Sequence, residues 1–496
     1  MQSPRLDRAT ASFGHIGHFI GGAWVSPNSA EVLTMTSPST GASIGTAAAA
    51  DSTDVERALR AAIEAEQVLA DMSVSDRAAM CYRVSDAIQR HQEDLAFALA
   101  LDQGKPLKAE AETEASVCSL FYRHAAEDVQ RLYGETIPTA SARKRVLTTY
   151  RSRGAYAVIT PWNFPYNIAS EYLSICLAAG NPVVWLPSPM STGCSAVLAN
   201  AIAEADLPPG AINFITGMGA QAGDQLVADD RVRGVCFTGS SAVGRTISSR
   251  AGLKPLLLEL GGNGPILVLD DADLELAASG IAFSAFYNAG QACSASERII
   301  VHERIVDDLL GVLEKHVAAV RLGDPFEPTT TMGPLNNEAV AAKMDRHIAD
   351  AVESGARVIA GGRRSAVGET DLYFEPTVLL DVRPGMEVFQ EESFGPVIPI
   401  TPCADVEEGI RLANANAFGL IASVYTQSLH RAFAIGERVR AGIVNVNETP
   451  DYWDAITPYG GASGTESGLG RLGGAHGLRE VMDLRGLVID IGEGTS

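Results

Sequence analysis

The sequence predicts an α/β fold built around a parallel sheet and divided into two or three domains. Three observations lead there. The chain has 496 residues, beyond the roughly 250–300 at which one hydrophobic core stops growing. Between Gly154 and Gly261 short apolar runs alternate with helical stretches, and strand–helix–strand units of that kind close into parallel sheets. Glycine-bearing turns stand directly after two of those runs, where an open parallel sheet collects its ligands.

Taken in order, His18–Val25 reads as a short strand and turn ahead of Pro27 and Asn28. Asp51-Ser52-Thr53-Asp54 offers capping side chains to a helix running to Leu69. A second helix is expected from Ser75 to Leu101, with Met80, Val84, Ile88, Leu95 and Leu99 at near-helical spacing, and a third from about Lys108 to Tyr133. These stripes read as core faces. Residues 143–152 mix β-branched and charged residues without an apolar face; they suit either an arm that pairs with another subunit or a solvated hairpin. Strands then follow at 155–160, 182–186, 210–215 and 232–237, with helices at 167–179 and 191–204 between them.

Of the two glycine turns, Gly217–Gly223 has one residue too many before its last glycine for a dinucleotide fingerprint. Thr238–Gly244 sits between a strand and a helix start. Gly239 permits close backbone approach there, and Ser240 either caps the helix or donates to a phosphate at its N-terminus.

Lys and Arg number 38 against 60 Asp and Glu, a net charge of −22. Such a surface repels nucleic acid and anionic lipid, so neither is expected as a partner. Met1–Arg8 has no apolar run behind its arginines and is not expected to be a secretory signal. No stretch approaches about 20 uninterrupted apolar residues, since Tyr172–Leu186 is broken by Gly180-Asn181-Pro182. Seven cysteines without a Cys-x-x-Cys pair suit reduced thiols in a cytoplasmic protein. Nine histidines without ligand spacing give no support for a metal.

The segments that carry chemistry fall in series. Pro161-Trp162-Asn163-Phe164-Pro165 ends the first strand of the alternating part, Phe237-Thr238-Gly239-Ser240 the fourth, and Leu258-Glu259-Leu260-Gly261-Gly262 the next. Gly290-Gln291-Ala292-Cys293 follows, then Glu391-Glu392-Ser393-Phe394-Gly395-Pro396 and a glycine-rich tail from Pro458 to Gly474. In this order, over nearly the whole chain, they resemble the NAD(P)-dependent aldehyde dehydrogenase superfamily, in its hydrolytic, non-acylating branch.

The resemblance implies a nucleophile at Cys293, whose thiolate adds to an aldehyde so that the resulting thiohemiacetal can release hydride. It assigns the oxyanion donors to the Asn163 amide and the Cys293 backbone N–H. It makes Glu259 the base that activates water against the thioester; a carboxyl within Leu256-Leu257-Leu258-Glu259-Leu260 is poorly solvated, which raises its pKa. The CoA-acylating branch lacks this base.

NAD or NADP is the implied cofactor. Its contacts would be Ile159, Thr160, Pro161 and Trp162 after the first strand, Leu186 and Ser188 after the second, and Gly219 and Gly223 after the third. Phe237, Gly239, Ser240, Val243 and Leu260 follow. Glu392 would hold the nicotinamide ribose diol, since a carboxylate accepts two hydrogen bonds, with Phe394 packing beside it.

Some positions depart from the family pattern. Leu186 and Pro189 stand where a lysine and often a glutamate contact the adenosine ribose, which leaves NAD versus NADP open. Tyr172, Asn263, Ser463 and Leu472 stand where many relatives have Lys, Lys, Lys and Glu; positions 172 and 472 are associated with proton movement during deacylation.

By the same resemblance the substrate tunnel draws on Tyr166, Asn167, Ile168, Glu171, Tyr287, Ser294 and the loop holding Asp451, Tyr452 and Trp453. No Arg or Lys lies in these segments, which disfavours aldehydes bearing carboxylate or phosphate. Tyr452 and Trp453 suit an aromatic or medium-chain aldehyde, whereas Glu171 and Asp451 suit an amino-aldehyde.

The family fold implies a Rossmann-type cofactor domain from 1–133 and 153–261 and an α/β catalytic domain at 262–463. A β arm and tail at 134–152 and 479–496 would join a dimer or tetramer. A cofactor-deficient relative with esterase activity, or a non-catalytic scaffold, is the alternative, and intact Cys293, Glu259 and Asn163 speak against the scaffold.

Overall fold

The computed structural model describes residues 12–492 other than Trp453; the segment Met1–Arg8 and the tunnel candidate Trp453 lie outside the described residues. Eight strands form the sheet on which the site is built. In spatial order they are Gly468–Leu469, Leu256–Glu259, Gly234–Thr238, Tyr156–Thr160, Val183–Pro187, Ile212–Phe214, His18–Ile20 and Ala23–Val25. The central five run parallel, with Val235 and Val184 on either side of Ala157. They are almost wholly buried, which is why they read as unbroken apolar runs rather than alternating ones.

Tyr156–Thr160, the first of the five in the chain, lies in the middle. Later strands extend the sheet to one side as far as Ile212–Phe214 and then to the other from Gly234. The order reverses between Thr160 and Thr238, and a crevice opens there beyond the strand ends.

A second sheet of seven strands runs Arg357–Ala360, Thr377–Leu380, Val397–Cys403, Ser296–His302, Gly264–Val268, Ile421–Tyr425 and Ile443–Val446. All but the first of these pair in parallel with their neighbours. Its core holds Ile266, Ile299, Leu379 and Val424, all fully buried.

The caps form as the sequence suggests: Asp51 accepts from the N–H groups of Thr53 and Asp54 at 2.8 and 3.0 Å and starts the helix Ser52–Asp71. The expected helix 75–101 is instead two, Val74–Arg90 and Gln92–Gln103, with His91 (φ −106°, ψ 14°) between them. Met80, Val84, Ile88, Leu95 and Leu99 are fully buried on both sides of the break, so the bend lets each half follow the core. His91 Nε2 holds it by a 3.0 Å contact with Glu204. The third helix begins with a wide π-type turn, Leu107–Ala111, and continues as Glu112–Val129.

Strand Lys144–Ser152 pairs along its whole length with Met482–Asp490 of the same chain, and with Thr136–Ile137 on its other side. Leu484, Leu487, Val488 and Ile489 stay exposed on the tail strand. Among the described residues no helix is long and apolar enough to cross a membrane.

Candidate active site

Helix Leu274–Phe286 ends in a tight turn, Tyr287–Gly290, before the chain enters strand Ser296–His302 with Cys293 between them. Asn288, Ala289 and Gly290 are all left-handed, with φ of 51°, 53° and 73°. For the two non-glycine residues this costs roughly 1–2 kcal/mol each. A buried network holds them there. Glu110 Oε1 accepts from Asn288 N–H at 3.0 Å, and Asn288 Nδ2 donates to the carbonyls of Asn163 and Gln291 at 3.0 and 3.1 Å. Gln291 Nε2 donates to Asn288 O at 2.8 Å, and its Oε1 accepts from Asn336 N–H at 2.8 Å. The Asn163 amide donates to Gln291 O at 3.1 Å. Asn163 and the Cys293 segment are thereby fixed to one another.

Glu259 closes its strand with its carboxyl buried, and the Cys293 thiol lies within hydrogen-bonding reach of it. Glu259 Oε1 has no hydrogen-bond partner. Burial, and then the nearby Glu171 carboxyl, push Glu259 well above the usual carboxyl range. Burial and Glu259 likewise raise the Cys293 thiol.

A crevice of about 570 Å³ occupies the reversal point of the first sheet. Ile159, Thr160, Pro161, Trp162, Leu186, Ser188, Gly219, Gly223, Phe237, Gly239, Ser240 and Val243 all line it. Ser240 Oγ accepts from Val243 N–H and caps helix Ser241–Arg250. A neighbouring cavity of about 220 Å³ brings Leu260, Glu392 and Phe394 together with Trp162, Asn163 and Cys293. The Trp162 and Phe394 rings meet edge to face at 5.5 Å, and Glu392 Oε1 accepts from Gly262 N–H at 2.8 Å.

These features suit a nicotinamide dinucleotide. At Gly239 the wall is bare backbone, since a Cβ there would sit 2.5 Å from the Phe237 ring. A capped helix start faces the crevice for phosphate, and Glu392 has a second carboxyl oxygen for a ribose hydroxyl. Among the lining residues that no motif marked, Asp224 and Arg250 pair with one another at 2.7 and 2.8 Å. They bring a cation and an anion to the region where Leu186 and Pro189 offer neither.

On the other side of Cys293 a cavity of about 380 Å³ is lined by Asn167, Ile168, Glu171, Tyr287, Ser294 and Tyr452, together with Glu259. Tyr166 is not among them. It is fully buried in the core and donates its hydroxyl to Leu95 O at 2.9 Å, because it starts the helix one step out of phase with the face that carries Asn167 and Glu171. The sequence also missed Phe164, Phe283 and Tyr459, which line the same cavity. Phe164 and Phe283 each stack against Tyr287, at 5.9 and 5.2 Å. Asp451 Oδ1 accepts from Ser294 Oγ while its Oδ2 has no partner. Burial raises Asp451 to about 6 and Glu171 to about 8.

Comparison with known proteins agrees with this geometry. The family model described as "Aldehyde dehydrogenase family" matches residues 24–486. The chain belongs to that family and is an NAD(P)-dependent aldehyde dehydrogenase. It is 38% identical over 470 residues to a 3-sulfolactaldehyde dehydrogenase of Pseudomonas putida, covering 94% of this chain and 95% of that protein. It is 36% identical over 474 residues to the NADP+ succinate-semialdehyde dehydrogenase of Escherichia coli, covering 95% and 97%. The crystal structure of an NAD-dependent aldehyde dehydrogenase from Sinorhizobium meliloti superposes with a TM-score of 0.94 at 35% identity, over 100% of this chain and 98% of that one.

Proposed function

We propose that this enzyme oxidises an uncharged aldehyde, aromatic or of medium chain length, to the carboxylic acid by way of a thioester on Cys293. One observation carries the substrate class. Among the described residues lining the cavity beside Cys293 there is no Lys, Arg or His, and its apolar walls are Phe164, Phe283, Tyr287, Leu420 and Ile421. Relatives named for succinate semialdehyde and 3-sulfolactaldehyde act on anions, which this cavity has no cation to receive.

The roles follow from the positions. As the Cys293 sulfur bonds to the carbonyl carbon, its proton passes by way of Glu259 to solvent, and the alkoxide sits between the Asn163 amide and the Cys293 N–H. The bound nicotinamide supplies the hydride acceptor. Glu259 then takes a proton from the water that attacks the thioester, which makes the reaction hydrolytic. Leu186 and Pro189 leave the adenosine ribose to Asp224 and Arg250, whose charges bear on the choice between NAD and NADP.

A second reading is favoured by Asp451, whose Oδ2 is buried without a partner: an amino-aldehyde would bring its ammonium there. Turnover of benzaldehyde, hexanal, 4-aminobutanal and succinate semialdehyde, each with NAD+ and with NADP+, separates the readings. Preference for the first two supports the neutral class, preference for the third supports the amino-aldehyde, and preference for succinate semialdehyde rejects both.

The same reading divides the chain into a cofactor part (1–133 and 153–261), a catalytic part (262–463), and an arm and tail (134–152 and 479–496). The exposed Leu484, Leu487 and Val488 suit pairing of that tail with a second subunit in a dimer or tetramer. The seven unpaired thiols fit a reducing, cytoplasmic setting.

A further inference from the structure

Two buried carboxyls, not one, share the cavity with the sulfur of Cys293. Glu171 lies on helix Asn167–Ala179 and Glu259 at the end of its strand, and both line the wall beside Cys293. Each is 3% exposed, and each leaves its Oε1 without a hydrogen-bond partner. Glu171 is fixed from behind, where its Oε2 accepts from the buried Tyr459 hydroxyl. The other titratable groups facing the pair are Tyr172 beside Glu171, Cys293 itself, Tyr287, Asp451, Tyr452 and Asp454 on the walls of the same cavity, and Glu392 from the neighbouring one. No cationic side chain among the described residues lines this cavity. Two buried carboxyls close together without a counter-charge resist ionising together; such a pair keeps one proton over a wide range of pH.

We propose that Glu171 and Glu259 act as a proton-sharing pair during thioester hydrolysis, with Glu171 the positioning residue that lets Glu259 alternate between base and acid. The proposal rests on the reading of Glu259 as the base. While the pair's proton resides on Glu171, Glu259 takes a proton from water as the water oxygen bonds to the thioester carbon. As the carbon–sulfur bond breaks, Glu259 hands that proton to the departing sulfur. The acid is released, Cys293 is again a thiol, and the pair still holds one proton. Tyr459 keeps Glu171 turned toward the cavity throughout. Burial raises both carboxyls, in accord with a proton retained by the pair.

The test is hydrolysis of 4-nitrophenyl acetate by the full-length enzyme without cofactor. Acylation of Cys293 gives a burst of nitrophenol, and the steady phase that follows reports deacylation. The wild-type steady rate should show two limbs with pH, the two ionisations of the pair. Glu171→Gln should keep the burst, slow the steady phase about tenfold, and leave a single ionisation. Tyr459→Phe, which removes only the hydrogen bond, should give the same change in smaller measure. An unchanged two-limbed profile in Glu171→Gln, or equal loss of burst and steady phase with both limbs retained, overturns the proposal. Glu259→Gln tests the underlying reading separately: a burst without a steady phase supports the base, and continued hydrolysis refutes it whatever Glu171→Gln does.

Discussion

Glu110 lies outside every cavity that touches Cys293, yet replacing it should slow the enzyme. Its carboxyl is buried and is the acceptor for Asn288 N–H at 3.0 Å. Asn288 and Ala289 are held left-handed at a combined cost of roughly 2–4 kcal/mol. A hydrogen bond to a group of this kind contributes about 1.5–3 kcal/mol, the same size as the strain it opposes. Glu110→Ala therefore lets the turn relax and carries Cys293 and the partner carbonyl of Asn163 away from their working geometry. If the whole loss falls on the transition state, turnover drops by about 12- to 150-fold. Glu110→Gln keeps a carbonyl acceptor of the same reach and should retain most of the activity. Because either protonation state of Glu110, raised by burial to about 7, can accept the bond, Glu110→Gln should also leave the pH profile as it is. The assay is kcat and KM at saturating cofactor, with a thermal melt to show that each variant is folded. A folded Glu110→Ala with wild-type turnover would refute the reasoning.

Other outcomes follow from the same geometry. Asn163→Ala, which removes the proposed oxyanion donor, should lower kcat by about 10²–10³-fold while cofactor affinity, read by titration of intrinsic fluorescence, stays the same. Gly219→Ala has open space for its Cβ within the crevice; the melting temperature should not move, but the KM for cofactor should rise. Burial raises Asp102 and Asp451 to about 6, Glu110 to about 7, and Glu171 and Glu297 to about 8. The folded chain thus holds protons that the unfolded chain has released, and stability must fall as pH rises. His18 and His347, lowered by burial from 6.5, oppose this only at more acid pH. The melting temperature should therefore decline between pH 6.5 and 8, and a rise over that interval would contradict the buried-carboxyl account.

What the sequence made legible was whatever acts through local order. The central strands and their crossover helices were visible because burial on both faces leaves unbroken apolar runs. The motif series was visible because backbone chemistry at Gly239, Ser240 and the Cys293 turn needs neighbours in the chain. Interactions across the chain were not visible. Tyr459 meets Glu171 from 288 residues away, and Arg250 reaches the cofactor crevice through a pairing with Asp224 that no motif marks. The break at His91 carries no glycine or proline, and its reason is the curvature of the core rather than any breaker residue. The family resemblance places Tyr166 in the tunnel beside Asn167, whereas a single residue on a helix start turns a side chain by about 100° and sends this one into the core. The cavity beside Cys293 was only half legible: the missing cations could be counted, but the stacking of Phe164 and Phe283 on Tyr287 required the fold.

The claim on which everything else depends is that Cys293 carries the acyl group. Enzyme mixed with 4-nitrophenyl acetate, quenched within the burst and digested should place one acetyl mass on the peptide containing Cys293. Cys293→Ala should show neither that adduct nor aldehyde oxidation, while still binding cofactor. An adduct on another residue, or aldehyde oxidation that survives in Cys293→Ala, would contradict the account.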